Sequence, residues 1–208
     1  MITILHEGLN HVIDMDLINN GSVMIDAGAG RGGFVKKMRK FYNCHIFCIE
    51  CSKSNIVHIG NADFSNITLI HKALVGTDQS SITYTEYFGD PAQGTDGYFE
   101  WGNIYGHHKP FLSQRGAGVG MLDYEVETTR LDLLMDQYSI QHVDYLKMDI
   151  EDAEYDVLQN LDDTYLQRIK QISVELHTDG KNKALIERMA RAGFSHQEFP
   201  KNEHYFAK

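Results

Sequence analysis

The chain has 208 residues, which fits one domain and leaves no room for two catalytic domains. Apolar residues make up 42% and charged residues 23%, as in an ordinary globular protein with a buried core. Acidic residues outnumber basic ones by 29 to 19, and the resulting net charge of −10 disfavours nucleic acid as a partner, since its backbone attracts cationic surfaces.

The N-terminal residues mix acids and amides with apolar side chains, so they lack the basic start and apolar run of a secretion signal. No stretch approaches the ~18 consecutive apolar residues of a membrane span. The three cysteines, Cys44, Cys48 and Cys51, form a tight cluster that favours free thiols in a reducing compartment over disulfides. We therefore expect a cytoplasmic protein with no membrane partner.

Residues 6–19 predict an N-terminal helix, and strand and helix patterns then alternate along the chain. Strands are predicted at 22–26, 45–50, 67–71, 143–150 and 172–177, and helices at 34–42, 153–161 and 181–192. This alternation is typical of an α/β fold with a mostly parallel sheet. The segments 194–199 and 204–206 predict a C-terminal antiparallel hairpin. Between 87 and 123 the pattern breaks down into glycines and aromatics, as in a lid-like insertion or a binding loop.

A glycine-rich turn, DAGAGRGG at 26–33, follows the first of these strands. Gly28 and Gly30 allow a tight turn and let a ligand approach the backbone. Glu50 ends the next strand 24 residues after Asp26, where it can accept hydrogen bonds from both hydroxyls of a ribose. This spacing indicates an adenine nucleoside as ligand.

Two cofactors compete for the turn. Gly28, Gly30 and Gly33 satisfy the G-x-G-x-x-G pattern of dinucleotide-binding proteins, which favours NAD. Asp26 favours S-adenosylmethionine (SAM), because an acid here would repel a pyrophosphate but bind the ammonium of an amino acid. A turn that binds nothing stays open as a third interpretation.

Polar residues also end two later strands. Lys147, Asp149 and Glu151 share one parity, as do Glu175 and His177 on the next strand. Because the carboxyl ends of neighbouring parallel strands face the same crevice, we expect these side chains to line one cleft. Polar groups in buried strands are costly unless they are paired or used, so a functional cluster is favoured over a solvated acidic face.

Over residues 22–177 the chain resembles the FkbM family of SAM-dependent methyltransferases. Six segments carry the resemblance in the family's order: VMIDAGAGRGGFV, IFCIECS, LIHKALVG, VETTRLDLL, VDYLKMDIEDAEYDVLQNL and ISVELH. The K-x-D-x-E-x-A-E stretch is the most specific of them. The resemblance implies a class I, Rossmann-like methyltransferase fold with a doubly wound, mostly parallel sheet, formed by residues 1–208 as a single domain.

The resemblance also implies which residues hold the cofactor. The residues implied for SAM are Asp26, Gly28, Ala29, Gly30, Glu50, Cys51, Ser52, Lys72, Ala73 and Asp149. The first four would lie against the methionine moiety, Glu50 would take the ribose, and the four from Cys51 to Ala73 would border the adenine. The chain departs from the family where Asp152 replaces the usual glycine and where Ile49 and Cys51 flank Glu50 in place of an aromatic residue and proline.

The implied reaction is transfer of a methyl group to a hydroxyl of a small-molecule or sugar-like acceptor. Because SAM is already activated, the protein must align the acceptor and remove its proton. His177 is the predicted base, since its ordinary pKa lies near working pH. Asp149 and Glu175 would orient it or the acceptor, and Lys147 would line the site or pair with a carboxylate.

Several alternatives remain open. The carboxylates could hold a divalent cation such as Mg²⁺ that lowers the pKa of the acceptor. The acceptor could be an amine of a small molecule or peptide, and the chain could instead be an NAD-dependent oxidoreductase or a non-catalytic nucleoside-binding module. Residues 123–163 hold 13 acids and two bases, which favours a metal ion or a cationic or neutral acceptor over nucleic acid.

Overall fold

The computed structural model describes residues 2–4, 11–62, 64–89, 102–103, 119–177 and 181–208. The strands are β1 (Ile2–Ile4), β2 (Val12–Asp14), β3 (Val23–Ala27), β4 (His45–Glu50), β5 (Ile67–His71), β6 (Ala73–Leu74), β7 (Ser81–Gly89), β8 (Gly102–Asn103), β9 (Val119–Thr129), β10 (Tyr145–Met148), β11 (Gln171–Glu175), β12 (Ser195–Phe199) and β13 (Glu203–Ala207). The helices are α1 (Gly33–Met38), α2 (Lys53–Asn61), α3 (Leu131–Gln137), α4 (Glu154–Asn160), α5 (Asp163–Leu166) and α6 (Asn182–Arg191).

A seven-stranded sheet in the order β12-β13-β11-β10-β3-β4-β5 forms the centre of the molecule. The five strands from β11 to β5 are parallel, while β13 runs antiparallel to β11 and pairs with β12 as a hairpin. The fold is therefore α/β with a mostly parallel sheet. Strand order reverses between β3 and β10, and ligands of such sheets bind at this switch point, beyond the carboxyl ends of the strands.

Helices cover both faces of this sheet. Successive strand residues point to opposite faces, so that Met24 packs with the α1 and α2 side while its neighbour Ile25 packs with α3, α4 and α6. Both faces are dry, which is why the parallel strands read as nearly continuous apolar runs in the sequence. Any polar side chain within these strands consequently needs a partner.

The predicted N-terminal helix is wrong where the structure describes that segment. Residues 12–14 form β2, which pairs antiparallel with β1, and Met15–Leu17 form one 3₁₀ turn. The backbone N–H of Val12 donates to Ser173 Oγ at 2.9 Å, and that of Asp14 donates to the Gln171 side chain at 2.8 Å. Side chains of β11 thus satisfy this backbone in place of helical hydrogen bonds. Residues 5–10 lie outside the described part of the chain.

A second sheet, in the order β6-β9-β7-β8, stands beside the first. Its strands β7 and β9 pair antiparallel from Ser81 opposite Glu127 to Gly89 opposite Val119. The ends of the predicted insertion at 87–123 are therefore strands and not irregular loop; its residues 90–101 and 104–118 lie outside the described ranges. None of the helices in the described ranges is both long and apolar enough to cross a bilayer.

Candidate active site

The glycine turn between β3 and α1 lies at the switch point of the sheet. Gly28 has φ +76° and Gly30 has φ +53°, a backbone region that favours glycine. A Cβ on Gly28 would lie 1.7 Å from the carbonyl oxygen of Asp149, so the turn packs directly on the loop after β10. A Cβ on Gly30 would meet no atom within 4 Å. The turn is thus closed towards β10 and open above Gly30, which leaves space for a ligand there.

Glu50 borders this space from the end of β4. Its Oε2 accepts a hydrogen bond from the Gly30 N–H at 2.7 Å, and its Oε1 accepts one from the Ser52 N–H at 2.7 Å. Burial raises the pKa of Glu50 to about 7, although both backbone donors act in the opposite direction. Each oxygen keeps a second lone pair, so a carboxylate held in this way suits the two hydroxyls of a ribose.

The residues predicted to border the adenine follow β4 and β5. Ser52 caps α2, because its Oγ accepts the Asn55 N–H at 3.1 Å. Cys51 and Ala73 pack into one small apolar cluster with residues of the second sheet. Lys72 forms an ion pair with Glu127, with 3.2 Å between its Nζ and the Glu127 Oε2. The structure therefore brings three of the four together and gives Lys72 an ion-pair partner at the edge.

Lys147 and Asp26 form a buried pair beneath the glycine turn. The two residues face each other across β10 and β3, with 3.2 Å between Lys147 Nζ and Asp26 Oδ1, and the Asp26 side chain has no exposed surface. Lys147 Nζ also donates to the carbonyl oxygen of Gly28 at 2.6 Å. Burial would lower the pKa of Lys147, but Asp26 and Asp149 outweigh it and raise the pKa. Lys147 thus holds the turn from below, and the Asp26 predicted to contact the ammonium of SAM is covered.

Four other predicted residues do meet in the crevice. One ligand atom each of Asp149, Glu151 and His177 lie within 4.8 Å of one another. Glu175 joins them, with its Oε1 3.8 Å from His177 Nε2. All four side chains are between 21% and 32% exposed, so the cluster opens to solvent at the carboxyl ends of β10 and β11.

Among the described residues, His177 is hydrogen-bonded at Nδ1. Its Nδ1 lies 3.1 Å from Oε1 of the buried Glu154, which also accepts the Ile150 N–H at 2.8 Å. Its Nε2 faces Glu151 Oε2 at 3.7 Å. Burial lowers the pKa of His177, but the carboxylates, first of all Glu154 and then Glu151, outweigh it and raise the pKa to about 10. The predicted role of His177 as a base requires an ordinary pKa near neutrality, whereas the surrounding carboxylates favour its protonated form.

Two buried residues beside Asp149, His11 and Glu203, are not indicated by any motif in the sequence. His11 Nδ1 lies 3.3 Å from the Glu203 carboxylate, and His11 Nε2 lies 3.8 Å from Asp149 Oδ2. Burial would raise the pKa of Asp149, but His11 and Lys147 outweigh it and hold the pKa well below its usual range. His11 precedes β2 and Glu203 opens β13, so no local pattern in the sequence links them.

The loop after β10 contains two residues in a left-handed conformation. Glu151 has φ +55° and Asp152 has φ +85°. Residues other than glycine rarely adopt this backbone region. Such strain occurs at functional sites, where the surrounding structure holds the strained residues in place. The departure from the family pattern at Asp152 thus falls at a position whose backbone favours glycine.

Comparisons with known proteins assign most of this chain to one protein family. Residues 26–196 match the Methyltransferase FkbM domain. "Methyltransferase 1" of Beauveria bassiana is 28% identical over 168 residues, covering 74% of this chain and 64% of that protein. The "AMB antimetabolite synthetase AmbE" of Pseudomonas aeruginosa is 38% identical over 71 residues, which is 31% of this chain but 3% of AmbE. The chain thus spans less than two thirds of either of these relatives.

Among solved structures, the METTL16 MTase domain superposes with a TM-score of 0.50 over 90% of this chain and 59% of that one, at 11% identity. At this identity the likeness concerns the fold alone. The strand order and the glycine turn at the switch point, taken with these matches, define a class I SAM-dependent methyltransferase fold. The match over residues 26–196 is more specific, and the chain belongs to the FkbM family of methyltransferases.

Proposed function

We propose that this protein transfers a methyl group from SAM to a hydroxyl of a small-molecule or sugar-like acceptor. The observation that carries the proposal is the direct contact between the two halves of the site. Gly28, in the turn proposed for the cofactor, packs on the backbone of Asp149, in the cluster proposed for the acceptor. A methyl group bound against the turn would therefore face that cluster, as in-line transfer requires.

On the cofactor side, the open space at Gly30 and the Glu50 carboxylate beside it suit an adenine nucleoside with free ribose hydroxyls. We propose that Gly28, Ala29 and Gly30 lie against the methionine moiety, with the partly exposed carboxylate of Asp149 beside its ammonium. Bound SAM supplies an electrophilic methyl group. Asp26 contributes to this site indirectly, because it pairs with Lys147, which supports the turn from below. The proposed adenine-side residues are those predicted from the sequence, namely Cys51, Ser52, Lys72 and Ala73.

On the acceptor side, we propose that Asp149, Glu151 and His177 hold a divalent cation such as Mg²⁺. The Glu154 carboxylate binds His177 Nδ1 and leaves Nε2 facing the carboxylates, an arrangement typical of metal-bound histidines. The excess of carboxylates raises the pKa of His177, so the site favours positive charge at Nε2, which a cation would supply in place of a proton. Such a cation would lower the pKa of a hydroxyl bound to it, so that its proton could leave to water, while Glu175 would orient the acceptor.

The competing role for His177 is that of the base, and metal dependence separates the two. We expect turnover to stop in excess chelator and to return with Mg²⁺. Turnover that is unaffected by chelator would rule out a bound cation and leave the role of base for His177. His177→Ala should abolish turnover while the dissociation constant of S-adenosylhomocysteine (SAH) stays within about threefold. His142→Ala is the matched control, since that side chain is exposed and its described partner is Asp144, with 3.5 Å between His142 Nε2 and Asp144 Oδ2.

The whole proposal is tested first by calorimetry with SAM, SAH and NAD. Binding of SAM and SAH without NAD supports it, whereas binding of NAD alone would favour an oxidoreductase. A mixed acceptor screen read by mass spectrometry then looks for a gain of one methyl group on hydroxyl compounds. Methylation of amines alone would favour N-methyl transfer, which the negative charge of the cluster also suits. Cofactor binding without any product would favour a non-catalytic nucleoside-binding module.

A further inference from the structure

The second sheet reaches into the loop after β4 through one buried carboxylate. Glu86 on β7 points towards this loop, and its Oε1 accepts the hydroxyl of Ser52 at 2.7 Å and also that of Ser54. Its Oε2 accepts the Tyr124 hydroxyl from β9 at 2.7 Å. Three donors from two parts of the fold therefore converge on Glu86.

Ser52 connects this carboxylate to the proposed ribose site. Its hydroxyl donates to Glu86 and at the same time accepts the Asn55 N–H, so its orientation is fixed. Its backbone N–H donates to Glu50 Oε1 at 2.7 Å, and the other oxygen of Glu50 accepts the Gly30 N–H at 2.7 Å. An unbroken chain of hydrogen bonds thus runs from the second sheet to the glycine turn.

The negative charge of Glu86 determines which groups donate in this series of hydrogen bonds. Burial alone would raise the pKa of Glu86, but the hydrogen bonds from Ser54, Ser52 and Tyr124 outweigh it and lower the pKa. An ionised carboxylate only accepts, so the Ser52 hydroxyl must donate to it. Hydrogen bonds to a charged acceptor are stronger than neutral ones and hold their donors more firmly.

We propose that Glu86 is a positioning residue for the cofactor, which fixes Glu50 for the ribose hydroxyls by holding Ser52. Strands β7 and β9 of the second sheet are then part of the cofactor site through Glu86, and they contribute to the affinity for SAM. This inference rests on the proposed function, since it takes Glu50 as the carboxylate that binds the ribose.

The test measures the dissociation constant of SAH by calorimetry in matched variants. Glu86→Gln keeps the shape but loses the charge, and we expect it to weaken SAH binding about tenfold. Glu125→Gln is the control: Glu125 lies on β9, accepts the hydroxyls of Ser81 and Thr83 and is exposed, so its replacement should change affinity less than about twofold. If Glu86→Gln fails to fold, Ser52→Ala serves as the second variant. It removes the same hydrogen bond from the other partner and should also weaken SAH binding.

A double-mutant cycle with Glu50→Gln separates positioning from general stability. If Glu86 acts through Glu50, its replacement should cost less than about twofold in a Glu50→Gln background. An undiminished loss in that background, or unchanged affinity in both Glu86→Gln and Ser52→Ala, overturns the inference while the wild type still binds SAH. A wild type that does not bind SAH overturns the proposed function and this inference with it.

Discussion

The pair formed by Lys147 and Asp26 is the most direct test of how the glycine turn is held. Replacing Lys147 by Met keeps most of the length of the side chain and removes its charge. The variant leaves the carboxylate of Asp26, which has no exposed surface, without the ammonium 3.2 Å away. It also removes the hydrogen bond from Nζ to the carbonyl oxygen of Gly28. We therefore expect both a loss of stability and a loosened turn.

The size of the effect follows from the burial of the pair. Removing one partner of a buried ion pair typically costs about 3–5 kcal/mol, because an uncompensated charge is left in a dry interior. For a chain of this size each kcal/mol lowers the melting temperature by about 2–4 °C, so Lys147→Met should lower Tm by roughly 6–20 °C. The double variant with Asp26→Asn no longer buries an unpaired charge, and we expect it to recover at least half of that loss.

Scanning calorimetry of the wild type, both single variants and the double variant measures these terms. A Tm of Lys147→Met within about 2 °C of wild type would refute the reasoning. If such a variant had also lost turnover with SAH binding intact, Lys147 would act on the acceptor and would not primarily support the turn. Lys170→Met is a suitable control, because Lys170 is largely exposed although its partner Asp144 is buried, and its replacement should cost clearly less than that of Lys147.

Three further predictions concern other positions. Asp152→Gly should raise the free energy of unfolding by about 0.5–1 kcal/mol by relieving the left-handed backbone, and a lower Tm would contradict this. Gly28→Ala should abolish detectable SAH binding, because its Cβ would lie 1.7 Å from a backbone oxygen; a well-folded variant with normal affinity would show that the turn can shift. Burial lowers the pKa of both His196 and His204, so the stability they contribute is present above pH 6.5 and is lost as the pH falls towards their lower folded-state values; the Tm of His196→Gln relative to wild type should therefore rise between pH 7 and 5, and a constant difference would contradict this.

The sequence predicted the central sheet well because each of its parallel strands is a short apolar run buried on both faces. The strands at 45–50 and 67–71 have the predicted bounds, and the polar residues at the carboxyl ends of β10 and β11 do meet at one edge. Parity also placed Lys147 among the residues lining the crevice, but it could not tell that this side chain pairs with Asp26 beneath the turn. Since Lys147 offsets the charge of Asp26, the choice of SAM over NAD is better supported by family membership than by that acid alone.

Features that depend on distant contacts were beyond the sequence. His11 meets Glu203 across 192 residues, and neither lies in a recognisable motif. The sequence predicts an N-terminal helix over 6–19, yet Val12–Asp14 are extended because side chains of β11 offer hydrogen bonds to their backbone. Glu86 lies in an ordinary alternating strand, and only the packing of the second sheet against the loop after β4 reveals its contacts with Ser52.

The site is joined from segments that are far apart in the chain, and this has a consequence for folding. Lys147 and Ala27, neighbours on adjacent strands beneath the turn, are separated by 120 residues. Contacts of such long range form slowly, because the intervening loop must close, at a cost in entropy, before the contact stabilises the chain. A refolding chain should therefore acquire helical signal well before it can bind SAH, and the cofactor should act mainly by slowing unfolding of the assembled crevice.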